Sequence, residues 1–290
     1  MLKELFRALR PQQWIKNFFV FAPLIFSQNV LNRALVFRAG LAFVSFCLIS
    51  SAVYLINDLR DIEEDRQHPV KSQRPLASGR LKKSAAVAAL AILVPAGFLI
   101  ALLINRPFTF AALGYFVLQI AYTLWLKHVV ILDIFVVAAG FLLRVVAGGL
   151  AISVYLSSWL LLCTALLALF LAMGKRRHEL VLMEGQASNH RPILKEYSIY
   201  LLDQMISVVT ASTLIAYCLY TISDETISKF GTRNLIFTVP FVLYGIFRYL
   251  YLIHQKTGGG TPESLIIRDR PLLIAIVLWI GVAAAVLNFR

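Results

Sequence analysis

A chain of 290 residues that is 59% hydrophobic and only 15% charged, with a mean hydropathy of +0.76, carries more apolar mass than a water-soluble core of that length can hide. The net charge of +13 would suggest nucleic acid in a soluble protein. Beside such apolar runs it is better explained by the basic bias of cytoplasmic loops and by contact with anionic lipid or phosphate, and no nucleic-acid partner is expected.

A helix needs roughly 20 mostly apolar residues to cross a hydrocarbon layer about 30 Å thick. The hydropathy pattern predicts such helices over residues 17–31, 34–56, 84–104, 108–126, 129–152, 159–173, 205–222, 235–253 and 271–289. The first run is short, but no small-residue cleavage site follows it, so a cleavable signal peptide is not expected. No soluble domain fits between the helices. The expected architecture is an all-α integral membrane protein of nine transmembrane helices in a single domain, residues 1–290. Cys47, Cys163 and Cys218 lie inside apolar runs with no metal-ligand spacing and read as packing residues.

With nine spans the N-terminus shares a side with four loops. That side carries 20 of the 28 Lys and Arg residues and the opposite side only 6; Arg144 and Arg248 fall within helices. The bias puts the N-terminus in the cytoplasm and the C-terminus outside. Ten acidic residues, from Asp58 to Asp269, fall in the same loops, and only Asp224 and Glu225 are clearly outside. Any chemistry is therefore expected on the cytoplasmic face.

The loop after the second predicted span holds the chemistry. It reads Asn57-Asp58-Leu59-Arg60-Asp61-Ile62-Glu63-Glu64-Asp65-Arg66 and runs on through His68-Pro69-Val70-Lys71-Ser72-Gln73-Arg74-Pro75-Leu76-Ala77-Ser78-Gly79. If the helix continues past Ile56, Asp58, Asp61 and Asp65 share one face at i, i+3 and i+7, and Asn57, Asp61 and Asp65 recur at i, i+4 and i+8. Asp58 and Asp65 are then about 10 Å apart along the axis. Such a row of hard oxygens suits Mg²⁺, which takes one or two carboxylates together with waters and phosphate oxygens. Arg66, Lys71 and Arg74 follow as natural phosphate partners. A merely solvated acidic helix end would scatter its acids rather than space them from the membrane surface into a basic, Pro- and Gly-punctuated segment.

These residues resemble a known family. NDxxDxxxD followed by a basic RPLAxG segment is the hallmark of the UbiA-type intramembrane prenyltransferase superfamily, and the match extends along the chain. Arg10-Pro11-Gln12-Gln13-Trp14-Ile15-Lys16-Asn17 looks like its opening signature. Tyr122, Leu126-Lys127, Asp133 and the stretch from Leu143-Arg144 to Gly148-Gly149 look like its middle helices. The resemblance implies a cytoplasm-facing polar cavity that binds a diphosphate through Mg²⁺. Where aromatic prenyltransferases carry a second DxxxD, this chain has Gly174-Lys175-Arg176-Arg177-His178-Glu179-Leu180, expected in the loop after the sixth span. That stretch is similar to the decaprenyl-phosphate phosphoribosyltransferase branch, as are Pro240-Phe241 to Arg248-Tyr249, Pro262-Glu263 and Arg268-Asp269-Arg270. The branch moves 5-phosphoribose from phosphoribosyl diphosphate (PRPP) to a polyprenyl phosphate. Trading carboxylates for cations suits a site that must handle a 5-phosphate, a diphosphate and a lipid phosphate.

The expected assignment follows from the resemblance. Asp58, Asp61 and Asp65 are catalytic and, with Asn57, hold Mg²⁺. Lys16, Asn57, Arg66, Lys71, Arg74, Tyr122, Lys127, Arg144, Lys175, Arg176 and Arg177 bind substrate. Asp133 and Arg144, in one span and three turns apart, point the same way and line a polar cavity, because intramembrane charge is expensive elsewhere. The five histidines show no metal-ligand spacing, and Gly258-Gly259-Gly260 reads as a loop. PRPP, a polyprenyl phosphate and the plasma-membrane bilayer are the expected partners. The alternative is a prenyltransferase with an aromatic acceptor. A transporter would spread polar residues through the depth of several spans, which this chain does not.

Overall fold

In a computed structural model the described residues are 2–67, 70–183, 193, 196–256, 265 and 268–288. All the regular structure among them is helical. Their contacts divide at Ser157 into two compact units, Met1–Ser157 and Ser158–Arg290.

The first unit opens with α1 (Leu2–Ala8), then a 3-10 stretch, Pro11–Phe21, that runs into α2 (Ala22–Phe26). The long helices follow: α3 (Arg33–Arg60), α5 (Lys83–Ile104), α6 (Arg106–Leu124) and α7 (Leu132–Ile152), with the short α4 (Ile62–Gln67) after α3. Asn32 caps α3 by accepting from Ala34 and Leu35 N–H at 3.1 and 3.3 Å. Asn105 caps α6 at Phe108 N–H (2.8 Å) and donates to the Leu150 carbonyl at the far end of α7 (2.9 Å). That one side chain satisfies orphan groups at two helix termini.

The helix α3 is central. Of its most apolar stretch 61% is buried, against 17% for α5, so α5 turns most of its surface outward to lipid. Small residues allow this packing. Ala39, Ala42 and Ser45 of α3 are buried, and the Ser45 hydroxyl donates to the Gly97 carbonyl of α5 at 2.9 Å, a small-residue contact of the kind that joins helices within membranes. Phe46 packs against Phe108 and Tyr115 of α6. A Cβ on Gly148 of α7 would lie 2.1 Å from the Val20 carbonyl oxygen, so the 3-10 stretch rests directly on the α7 backbone.

The second unit comprises α8 (Ser158–Met183), α9 (Ile199–Ile222), the short α10 (Asp224–Phe230), a 3-10 turn (Asn234–Thr238) leading into α11 (Val239–Gln255), and α12 (Arg270–Asn288). Here α8 packs on α9 and α11 on α12. Gly174 of α8 lets the Tyr249 hydroxyl of α11 approach to 3.1 Å of where its Cβ would be. Trp279 donates to the Tyr217 hydroxyl at 2.7 Å, tying α12 to α9.

Among the described residues eight helices are long and apolar enough to cross a membrane. The first expected run is also helical, but it lies about five residues earlier than hydropathy suggests, over residues 11–26, and is mostly 3-10. A 3-10 helix rises about 2.0 Å per residue and an α-helix 1.5 Å. Laid end to end, the two pieces therefore reach close to the thickness of a hydrocarbon core. Other boundaries differ where polar turns extend helices beyond the apolar run, α9 among them, which begins at Ile199. The helix α3 continues to Arg60, and α8 continues to Met183, so Lys175, Arg176 and Arg177 stand on a helix rather than in a loop. No breaker follows Gly174, and Arg176 and Glu179 pair at i, i+3 (2.6 Å). His68-Pro69, Glu184, Arg191, Lys195, Gly258 to Gly260 and Pro262-Glu263 lie outside the described residues.

Candidate functional site

The acidic motif sits where α3 ends. Asp61 caps the helix, and its N–H bonds the Asn57 carbonyl at 2.9 Å; the Asp65 N–H then bonds the Asp61 carbonyl at 2.8 Å. Backbone bonding thus carries the i, i+4 spacing across the break between α3 and α4, and Asp58 and Asp65 are both almost wholly buried, at 2% and 3% exposure.

Buried carboxylates need compensation, and three cations supply it. Arg74 Nη1 donates to Asp58 Oδ1 (3.2 Å) and to Asp65 Oδ2 (2.6 Å). Arg10 also pairs with Asp58. Lys127 Nζ donates to both Asp61 oxygens, at 2.9 and 2.8 Å.

Each cation is held there for a local reason. Arg74 opens a compact turn in which Ser78 N–H and hydroxyl return to the Arg74 carbonyl (2.9 and 2.8 Å). Gly79 supplies the left-handed φ of 76°, and Leu76 and Leu81 anchor the turn in a cluster with Ala8, Leu55 and Ile62. Arg10 takes a left-handed φ of 54° and stacks on Tyr54, its guanidinium carbon 5.0 Å from the ring centre. Its segment is fastened by Ser51, which donates to the Leu9 carbonyl and accepts from Trp14 Nε1, each at 3.0 Å. Lys127 is placed by Arg60, which donates to the Thr123 carbonyl and, at 2.9 Å, to the Leu124 carbonyl. These are the unsatisfied carbonyls at the end of α6.

The same arrangement bears on a metal. Asp58 and Asp65 can share one cation, as they share Arg74 Nη1, which fits the one or two carboxylates that Mg²⁺ takes. Among the described residues no three His, Cys, Asp or Glu side chains converge as a metal cage. A divalent ion here would complete its shell from water and substrate oxygens, the habit of Mg²⁺ rather than of a closed structural site.

The remaining expected residues fall into distinct settings. Arg66 faces Glu63 (2.9 and 3.1 Å) and the Ala77 carbonyl (3.2 Å). Lys16, Asn57, Lys71 and Tyr122 are half-buried in the first unit. Arg144 is buried within α7. Its Nε, Nη1 and Nη2 donate to Asn17 Oδ1, the Gly140 carbonyl and the Tyr115 hydroxyl, each at 2.8 Å, and it lies over the Tyr115 ring at 4.6 Å. Asn17 in turn donates to Ser50 at 3.2 Å. This network answers the cost of intramembrane charge with dipoles and a π face. Asp133 is fully buried on the same helix.

In the second unit Lys175 is exposed and Arg176 buried. Arg177 Nε and Nη2 meet Asp203 at 2.6 and 3.4 Å, and Nη1 donates to the Ile253 carbonyl at 3.0 Å, so one side chain ties α8 to α9 and α11. His254 Nε2 is 3.2 Å from the same Asp203. Arg248 grips Asp269 through two bonds (3.1 and 2.9 Å), and Asp269 caps α12 at Leu272 N–H (2.9 Å). The Arg248 guanidinium holds the Asp269 carboxyl below the usual carboxylate range.

Sequence reading left Arg10, Arg60 and Asp203 without a site role. Arg10 was visible only as part of the opening signature, although Tyr54, one turn before Asp58, offers it a ring. Asp203 lay hidden by a boundary, since α9 begins at Ile199 rather than at 205.

Fold and cluster together define a multi-pass helical membrane protein with a charge-balanced acidic motif at a helix end. The chain belongs to the UbiA prenyltransferase family, whose model matches residues 18–266. It is 34% identical over 302 residues to a decaprenyl-phosphate phosphoribosyltransferase of Mycolicibacterium smegmatis, covering 100% of this chain and 94% of that one. It is 32% identical over 289 residues to the protein of that name from Mycobacterium tuberculosis, covering 98% and 94%. Among solved structures, a UbiA homolog from Archaeoglobus fulgidus bound to GPP and Mg2+ superposes with a TM-score of 0.74 at 19% identity, over 98% of this chain and 99% of that one. That likeness shows the shared fold.

Proposed function

We propose that this protein transfers 5-phosphoribose from PRPP to a polyprenyl phosphate in the membrane and releases diphosphate. The observation that carries the proposal is the end-to-end similarity to decaprenyl-phosphate phosphoribosyltransferases. It is joined by a basic Lys175-Arg176-Arg177 stretch where a second acidic motif would serve an aromatic prenyltransferase.

In this reading Asn57, Asp58, Asp61 and Asp65 hold Mg²⁺, which when bound neutralises charge on the departing diphosphate. Arg66, Lys71 and Arg74 bind phosphate oxygens. Lys16, Tyr122, Lys127 and Arg144 in the first unit, and Lys175, Arg176 and Arg177 in the second, complete the substrate-binding set. The acceptor phosphate is already ionised, so no side chain has to remove a proton from it. The bond from the ribose anomeric carbon to the diphosphate oxygen breaks, a bond to the lipid phosphate oxygen forms, and the electron pair leaves with diphosphate. Cations fixed around that oxygen stabilise the charge that develops. The loops bearing the motif face the cytoplasm of a plasma-membrane protein with its N-terminus inside and its C-terminus outside, and the whole chain acts as one domain. The basic bias of those loops and the cytosolic supply of the donor support this orientation.

The test is an assay of purified protein in detergent with labelled PRPP, a polyprenyl phosphate and Mg²⁺, following label into the organic phase. Mg²⁺-dependent transfer is expected. Prenyl transfer from an isoprenyl diphosphate to an aromatic acceptor, with no transfer from PRPP to any polyprenyl phosphate, would overturn the proposal.

A further inference from the structure

We propose that Arg10, Arg74 and Lys127 are tethered stand-ins for the divalent cation, so that metal and diphosphate enter this cluster by exchange. The metal takes over the carboxylates while the diphosphate takes up the cations thereby released. The inference rests on the reading above, in which the motif acids hold Mg²⁺ against a diphosphate, and it brings Arg10 into the binding machinery.

The ground is the completeness of the pairing. Asp58 is met by two guanidinium groups, Arg74 Nη1 touches Asp58 and Asp65 at once, and both oxygens of Asp61 accept from Lys127. Asp58, Asp65 and Lys127 are all buried. A metal ion arriving alone has to displace these cations and strand them, at a cost that grows with burial. A diphosphate arriving alone strands the carboxylates. Arriving together, the two exchange one set of ion pairs for another and leave far less buried charge unmatched than either would alone. Metal and diphosphate then strengthen each other's binding by the same factor, as linkage requires. The exchange also favours a ligand with several phosphate oxygens, because two guanidinium groups and an ammonium must all be satisfied at once.

The experiment separates the two ligands, using the full-length protein in detergent. Binding of Mn²⁺ alone is read by electron paramagnetic resonance. Binding of labelled inorganic diphosphate in EDTA is read by equilibrium dialysis. Removing a stand-in frees carboxylate, so Arg74→Gln binds Mn²⁺ alone about tenfold more tightly than the wild type. Asp65→Asn removes the shorter of the two Arg74 bonds and leaves its guanidinium only Asp58, so it binds metal-free diphosphate more tightly by a similar factor. Arg10→Gln, which leaves Asp58 only the longer Arg74 bond, is the second variant should Arg74→Gln fail to fold, with the same direction expected. Arg80→Gln is the control, since its guanidinium faces the Ser78 hydroxyl and Glu4 and the motif acids keep their partners; its Mn²⁺ affinity stays near the wild-type value. If the freed-carboxylate variant binds Mn²⁺ no more tightly than the wild type, or Arg80→Gln shifts as much, the exchange is overturned. Label transfer from PRPP is measured separately, so loss of the exchange with transfer intact leaves the reaction assignment standing.

Discussion

The two units each carry a cluster of ion pairs, and the clusters are built differently. In the first unit the pairs are shared. Arg74 serves two carboxylates and Asp58 receives two cations. In the second unit the pairs lie between helices and at a helix end: Arg177 and His254 meet Asp203, and Arg248 meets Asp269. Arg177 also takes a backbone carbonyl, and Asp269 caps a helix. A shared set can lose one partner and regroup around a new ion. A carboxylate committed to one guanidinium and a helix end cannot, and its natural role is to hold helices together. Charge at a helix end is therefore a poor guide to function until its partners are known.

The sharpest way to break this comparison is to remove an acid of the shared set. Asp65→Ala should lower label transfer by about 10²–10³-fold, in line with loss of a group that stabilises developing charge, while circular dichroism still reports a helical fold. A fall of only a few-fold would place Asp65 outside the chemistry.

Next in size is Arg177→Ala. It leaves Asp203, among the described residues, to His254 and should cost about 2 kcal/mol of stability, read as a lower melting temperature in detergent. A large rise in KM for PRPP with no change in melting would instead make Arg177 a phosphate ligand first and a tie between helices second.

The exposed Lys175 should behave in the opposite way. Lys175→Ala is expected to raise KM for a phosphorylated substrate several-fold, less than about 1 kcal/mol of binding, with the melting temperature unchanged. Parallel losses in KM and melting would erase the distinction between the exposed cation and its more buried neighbours.

The smallest effect concerns pH. Arg248 lowers the folded-state pKa of Asp269 beneath its ordinary 3.8, so the pair adds stability above that value and loses it as pH falls through the lowered one. Wild type and Asp269→Asn should differ in melting temperature at pH 5 and draw together as the pH falls from 3.8 through the lowered pKa. Asn caps a helix as well as Asp does, so a difference that persists into acid would mean that Asp269 contributes through something other than its charge or its cap.

Much of the protein was legible in its sequence, for local reasons. A run of apolar residues can satisfy its backbone within a membrane only as a helix, so the spans followed from hydropathy. The spacing of Asp58, Asp61 and Asp65 placed them along one helix end because the helical period is a property of the backbone. Helix ends were harder. Polar turns beyond Ile56 and Met173 stay helical although nothing apolar announces them, and one such extension lifted the basic triplet out of its expected loop. Asp203 went unassigned for the same reason.

The sequence by itself determined that the chain is a helical membrane protein with an acidic motif at a helix end and cations after it, because periodicity and composition act over a few residues. Only the tertiary structure decided which cation meets which acid. Arg10 reaches Asp58 across 48 positions and Lys127 reaches Asp61 across 66. Arg144, expected to line a polar cavity, meets Asn17 across 127. Burial makes such pairings obligatory, but the choice of partner depends on how helices distant in the chain pack, and no local pattern encodes that.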